Sequence, residues 1–242
     1  MSTTANKFVL DPTPPIDQKY SVKVRKFLQR ECVENLKKIH IKEKGEKNLR
    51  KQVKNLFQDK TMSGFYIEEK NIYGMIVLFD ESSLKFAGAY IARVNGVLSI
   101  YDSNIRFSVH SVERLILRLQ MKNPRLGIAK AIHSVTKYLF CPEKDFAINI
   151  EEKWRTPGLN EVDIAKPYLG DNDELLGMFF LTSISNLNCT RVEAGVVKTF
   201  VDTNKLREEQ YSKCMEVYEA QRNAFISGTA NVEMSRMDLL MS

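Results

Sequence analysis

Reactive and metal-binding side chains are scarce here: four cysteines, three histidines and one tryptophan in 242 residues. Cys32, Cys141, Cys189 and Cys214 are far apart, and no pair stands at C-x-x-C spacing. That scatter argues against a disulfide framework and favours free thiols in a reducing compartment. His40, His110 and His133 fall on three separate helical patterns without metal-ligand spacing, so no metal site is expected. No apolar run reaches 18 residues, which argues against a transmembrane helix. The first ten residues show no basic stretch leading into an apolar one, and neither a myristoylation nor a prenylation signal is present. The expected location is cytoplasmic, extending to the nucleus, and not secreted. On that reading the sequon Asn188-Cys189-Thr190 carries no weight.

Catalytic signatures are missing as well. The sequence has no G-x-G-x-x-G, no G-x-x-x-x-G-K-[ST], no G-x-S-x-G and no H-E-x-x-H. No cofactor is expected, and the first expectation is a protein that binds rather than one that catalyses.

What is present is enough apolar material for a core, 43% of residues, with 27% charged. The charge is uneven. Lys19 to Lys60 holds 14 basic groups against 5 acidic ones, a net of +9, while the whole chain carries +6. Arg106 to Lys137 holds seven basic groups against Glu113 alone. From Tyr138 onward the balance reverses, with 11 basic and 17 acidic groups. Two basic segments suit a polyanion, either nucleic acid or an anionic membrane surface, and they equally suit the acidic part of a second copy.

The pattern along the chain predicts an α+β fold. It consists of a basic helical N-terminal module, then a mixed or antiparallel sheet with packed helices, then a C-terminal helix. Residues 1–18, with Asp11-Pro12-Thr13-Pro14-Pro15, read as a flexible leader carrying a minimal PxxP. Residues 19–60 read as the basic module. Val24, Leu28, Cys32, Leu36 and Ile39 form one face of a helix over 22–43, with Lys23, Lys26, Arg30 and Lys37 opposite. After Gly45, a second short helix carries Leu49, Val53, Leu56 and Phe57, with Lys47, Arg50, Lys51 and Lys54 off that stripe. The two helices are expected to share one broad basic surface.

Residues 61–226 read as the core domain. Gly64–Glu69 and Ile72–Phe79 are strand-like, and apolar runs around Asn95-Gly96 demand a hairpin. Asp102-Ser103-Asn104 reads as a turn ahead of a helix over 108–121 capped by Ser108, with Arg114, Arg118 and Lys122 as a basic stripe. Pro124 stops that helix, and another runs from Leu126 to Phe140. Strands are expected at 146–150, 175–185 and 192–201, with a long loop at 153–174 and a helix from Thr203 to Phe225. Residues 227–242 read as a fraying tail.

The candidate phosphate- or nucleic-acid-binding residues are therefore Lys23, Lys26, Arg30, Lys37, Lys47, Arg50, Lys51, Lys54, Arg114, Arg118 and Lys122. Trp154, between Lys153 and Arg155, is a candidate for stacking or anchoring. The acidic loop cluster Asp171, Asp173 and Glu174 lacks the order of a calcium loop and reads as solvated. The function expected is a non-enzymatic structural or interaction protein that binds RNA, a ribonucleoprotein or an anionic membrane surface and self-associates. Viral matrix and movement proteins combine features of this kind, though no motif here marks either. Its rivals are an enzyme with a dispersed site, using groups such as Asp102, His110 and Arg155, and a protein–protein adaptor.

Overall fold

A computed structural model describes residues 18–35, 39–42, 45–59, 62–94, 96–139, 161–170, 174–185 and 192–209, several positions within 211–219, and 235–236. Helix α1 spans Gln18–Asn35 and α2 Glu46–Leu56. Strands β1 (Gly64–Glu69), β2 (Ile72–Asp80), β3 (Lys85–Val94) and β4 (Val97–Ser108) follow, then helices α3 (Val109–Leu119) and α4 (Pro124–Leu139). Strands β5 (Glu161–Leu169), β6 (Leu175–Ser185) and β7 (Val192–Asp202) come next. Its order is β1-β2-β3-β4-β7-β6-β5. All neighbours are antiparallel except β4 and β7, which run parallel through Ile105–Phe107 and Gly195–Val197. Two antiparallel meanders are thus joined by one short parallel seam, and the α+β reading stands.

Both faces of the first meander are covered. Six consecutive residues of β2, Tyr73–Leu78, are buried, as an unbroken apolar strand requires. On one face Met75, Val77, Phe86, Tyr90 and Tyr101 pack with Leu28 and Cys32 of α1, Val112, Leu115 and Ile116 of α3, and Ile128, Ile132 and Val135 of α4. On the other, Ile76, Leu78, Ala89, Ile91 and Ile100 pack with Leu49 and Val53 of α2. The second meander joins the first cluster through Tyr168, Phe179 and Phe200, and Phe179 meets Phe107 edge-on at 5.8 Å.

The two basic helices consequently lie on opposite faces of the sheet, which corrects the expectation of one shared surface. The cause lies between them. The helix expected over 22–43 ends at Asn35, and the non-helical residues 39–42 alternate buried Ile39 and Ile41 with exposed His40 and Lys42. Ile39 and Ile41 belong to the second cluster, so the chain has already changed face. The side chain of Gln52 fixes the crossing: its amide donates to Lys42 O at 2.9 Å and its oxygen accepts from Lys42 N at 3.0 Å. At the far end of α2 the Phe57 ring lies against two glycines. A Cβ on Gly74 would sit 2.4 Å from it, and one on Gly64 would sit 2.6 Å away.

Three further differences have local causes. Asp102-Ser103-Asn104 has the turn chemistry read from the sequence, but it makes a bulge inside β4 instead of ending the strand. Asn104 takes φ 58° while its N–H donates to the Asp102 carboxylate at 2.8 Å. Immediately after the bulge β4 gains its parallel partner. Strand β5 lies within the expected long loop; it carries Pro167, which an edge strand tolerates, and β5 is an edge strand. In the tail, Ser235–Arg236 pairs antiparallel with Tyr101 and Asp102, so this part of 227–242 forms a short strand, β8.

Helix α3 is capped as expected, with Ser108 Oγ accepting from Ser111 N at 3.0 Å. Pro124 opens α4, a first-turn position that needs no N–H. Where a helix was expected from Thr203, the chain makes a 3-10 turn at Thr203–Lys205 and turns extended at Leu206; residues 208–209 and the described positions within 211–219 are helical. The strand expected at 146–150 lies outside the described residues.

Candidate functional site

The two basic segments, separate in sequence, meet along α1. Arg25 donates to Glu113 of α3 at 2.8 Å, and Arg125 of α4 pairs with Glu31 at 2.5 Å. Both acids are thereby neutralised beside α1. Among the described side chains of α1, the cations Lys23, Lys26 and Arg30 are exposed at i, i+3 and i+7, which is one helix face. Neither Lys23 nor Lys26 makes an ion pair with a described residue.

At the edge of that face stands Phe27, 38% exposed. Two guanidinium groups flank its ring. Arg125 Cζ lies 4.6 Å from the centroid and Arg30 Cζ lies 5.7 Å from it. Cation–π attraction holds such an arrangement together. Exposed Lys122 sits just before α4, three residues ahead of Arg125. Beneath α1 the buried Cys32 thiol has its pKa pushed up to about 12, chiefly by desolvation. It is an inert core group.

The face of α2 is built differently. Lys47, Lys51 and Lys54 are exposed at i, i+4 and i+7. Arg50 is held inward: it pairs with Glu46 at 2.8 Å, stacks 5.1 Å from the Tyr73 ring and donates to Glu69 O at 3.1 Å. Tyr73 donates its hydroxyl proton to Glu46 at 2.9 Å. Gly45, Glu46, Lys47, Asn48 and Lys51 line an open hollow of about 480 Å³. A carboxylate is therefore part of this basic face.

Of the remaining candidates, Arg114 is half-buried and Arg118 is committed to the core. Arg118 Nε lies 3.4 Å from Asp202 and its Nη1 donates to Phe200 O at 2.8 Å, tying α3 to β7. Burial lowers its pKa despite the Asp202 charge. Lys37, Trp154 and Arg155 lie outside the described residues, as do Asp171 and Asp173.

The groups of the dispersed-site reading are accounted for in part. Asp102 forms a two-point ion pair with Arg106, at 2.8 and 2.5 Å, across the bulge. His110 is exposed on α3. His133 accepts or donates through Nδ1 to the buried Tyr90 hydroxyl at 3.0 Å, and that hydroxyl also bonds Thr136. Among the described residues no group of three or more His, Cys, Asp or Glu stands close enough to hold a metal ion. Nor is any described helix long and apolar enough to cross a membrane.

Sequence reasoning missed Phe27 and Arg125. The signal for Phe27 was legible: it is an aromatic ring on the charged side of an amphipathic helix, off the stripe of Val24, Leu28 and Cys32. The role of Arg125 is set by a tertiary contact 94 residues away in the chain and had no local signature. No protein-family model, curated protein or solved structure matches this chain.

Proposed function

We propose that this chain is a non-catalytic interaction protein that binds a phosphate-rich polyanion through the outward face of α1, with the α2 face as a weaker auxiliary. One observation carries the reading. Lys23, Lys26, Arg30 and Arg125 gather around an exposed ring, while Glu113 and Glu31 beside them are paired with Arg25 and Arg125. Phosphate neutralisation needs several cations on one face and no fixed geometry, and this face supplies that. Cations on both sides of the sheet also suit a role in which one molecule touches polyanion on two sides. Such a molecule would build assemblies together with the acidic part of a second copy.

The test is titration of generic single-stranded RNA at rising salt against Lys23→Glu, Lys26→Glu and Arg30→Glu combined. The wild-type affinity should fall steeply with salt. The triple variant should bind far more weakly and with a shallower salt slope. Equal binding by wild type and triple variant overturns the reading.

A further inference from the structure

Resting on that reading, we infer that the polyanion is a single-stranded nucleic acid, held at α1 by base stacking on the Phe27–Arg30–Arg125 platform and by phosphate contacts to Lys23 and Lys26. A chain of phosphates alone would call only for cations. Phe27 adds to them an aromatic surface that phosphates do not use. Its 38% exposed ring carries a guanidinium 4.6 Å from its centroid and a second at 5.7 Å. Flat rings and guanidinium planes are the groups on which unpaired bases stack, whatever their sequence. Lys23, one turn before it, and the adjacent Lys26 then reach the backbone.

The geometry disfavours the two other polyanions. In a duplex the bases already stack on one another, so the ring finds no partner and only the charges act. A membrane surface asks for an apolar helix face sunk several ångströms into the acyl boundary. The apolar face of α1 is spent: Leu28 and Cys32 are each 1% exposed in the core shared with α3 and α4. Among the described residues the other large exposed apolar ones are Leu84, Val97 and Tyr211. Leu84 is in the β2–β3 turn, Val97 begins β4 and Tyr211 follows β7, so none of them is on α1. One ring among cations is a stacking site and a poor membrane anchor.

The experiment compares wild type, Phe27→Ala, Phe27→Tyr and the triple Lys23, Lys26, Arg30→Glu variant on three probes. These are a single-stranded RNA, the blunt duplex of the same sequence, and vesicles containing an anionic phospholipid. Phe27→Ala should lose about tenfold in single-strand affinity with an unchanged salt slope. It should bind duplex as wild type does, and Phe27→Tyr should retain single-strand binding. In Phe27→Trp, emission above that of Trp154 should be quenched by the single strand and not by the duplex. Thermal melts of each variant establish that it folds, since a half-exposed ring is dispensable to the core. If Phe27→Ala binds single strand unchanged while the triple variant loses it, stacking is overturned and the polyanion reading survives. If vesicle binding falls in Phe27→Ala and RNA binding does not, the membrane is the occupant and the inference is overturned. If the triple variant binds all three probes as wild type does, the polyanion reading itself fails.

Discussion

Helices α1 and α2 have the same recipe, an apolar stripe below and lysines above, yet the fold makes different surfaces of them. At α1 the described carboxylates Glu31 and Glu113 are paired to Arg125 and Arg25, and an aromatic ring faces out among cations. The rings beside α2, Phe57 just after it and Tyr73 of β2, face in. Phe57 seats against Gly64 and Gly74, Tyr73 lies under Arg50, and Glu46, its side chain 53% exposed, stays at the rim beside Lys47. Net charge alone does not separate the two helices. The separation comes from which groups the sheet and its partner helices consume, and α1 has α3 and α4 beside it to absorb its acids.

The comparison breaks most severely if α1 is undocked. Leu28→Ala removes a side chain that is 1% exposed, and should cost about 3 kcal/mol in urea unfolding. It should also open Cys32 to alkylation, mapped by mass on its peptide; the wild-type thiol, with a pKa near 12, should resist. The next effect is on binding. Reversing Lys23, Lys26 and Arg30 should weaken single-stranded RNA binding about a hundredfold and lower the salt slope by about 2. The matching reversal of Lys47, Lys51 and Lys54 should cost only about fivefold. Equal losses on the two faces would erase the distinction. Gly74→Ala drives a Cβ to within 2.4 Å of Phe57 and should destabilise by about 2 kcal/mol, loosening α2 while leaving α1 binding within about twofold.

The smallest effect is one that both faces share through β2. The Asp80 carboxyl, hydrogen-bonded by the Ser82 and Ser83 hydroxyls, is held at about 2 against an ordinary 3.8. Its contribution to stability is therefore complete above pH about 4 and disappears as pH falls from there toward 2. Asp80→Asn should flatten that part of the acid limb slightly, by an amount trimmed by solvent at a one-third exposed group.

Much of the scaffold was legible because its signals are local. The Asn95-Gly96 hairpin closes with Val94 opposite Val97, and the Ser108 cap, α3 and strands β1, β2, β6 and β7 stand within a residue or two of their expected limits. Strand β5 was hidden because Pro167 and a polar surround argue for loop, and only its place at the sheet edge makes proline admissible. The end of α1 was misjudged because Ile39 fits a helical stripe as well as the Ile39, Ile41 alternation that it obeys. Of the site, the lysines were legible as charge on one helix face. Removal of Arg50 and Arg118 from that surface, and recruitment of Arg125 into it, depend on contacts 19 to 94 residues apart. Periodicity carries no information about those.

The most direct measurement is ultraviolet cross-linking of single-stranded RNA to the full chain, followed by mapping of the modified peptides. The account predicts adducts on the α1 segment around Phe27 and on the segment around Lys122 and Arg125, diminished in Phe27→Ala. Adducts confined to the α2 segment around Lys47–Lys54, or indifferent to Phe27→Ala, would contradict it.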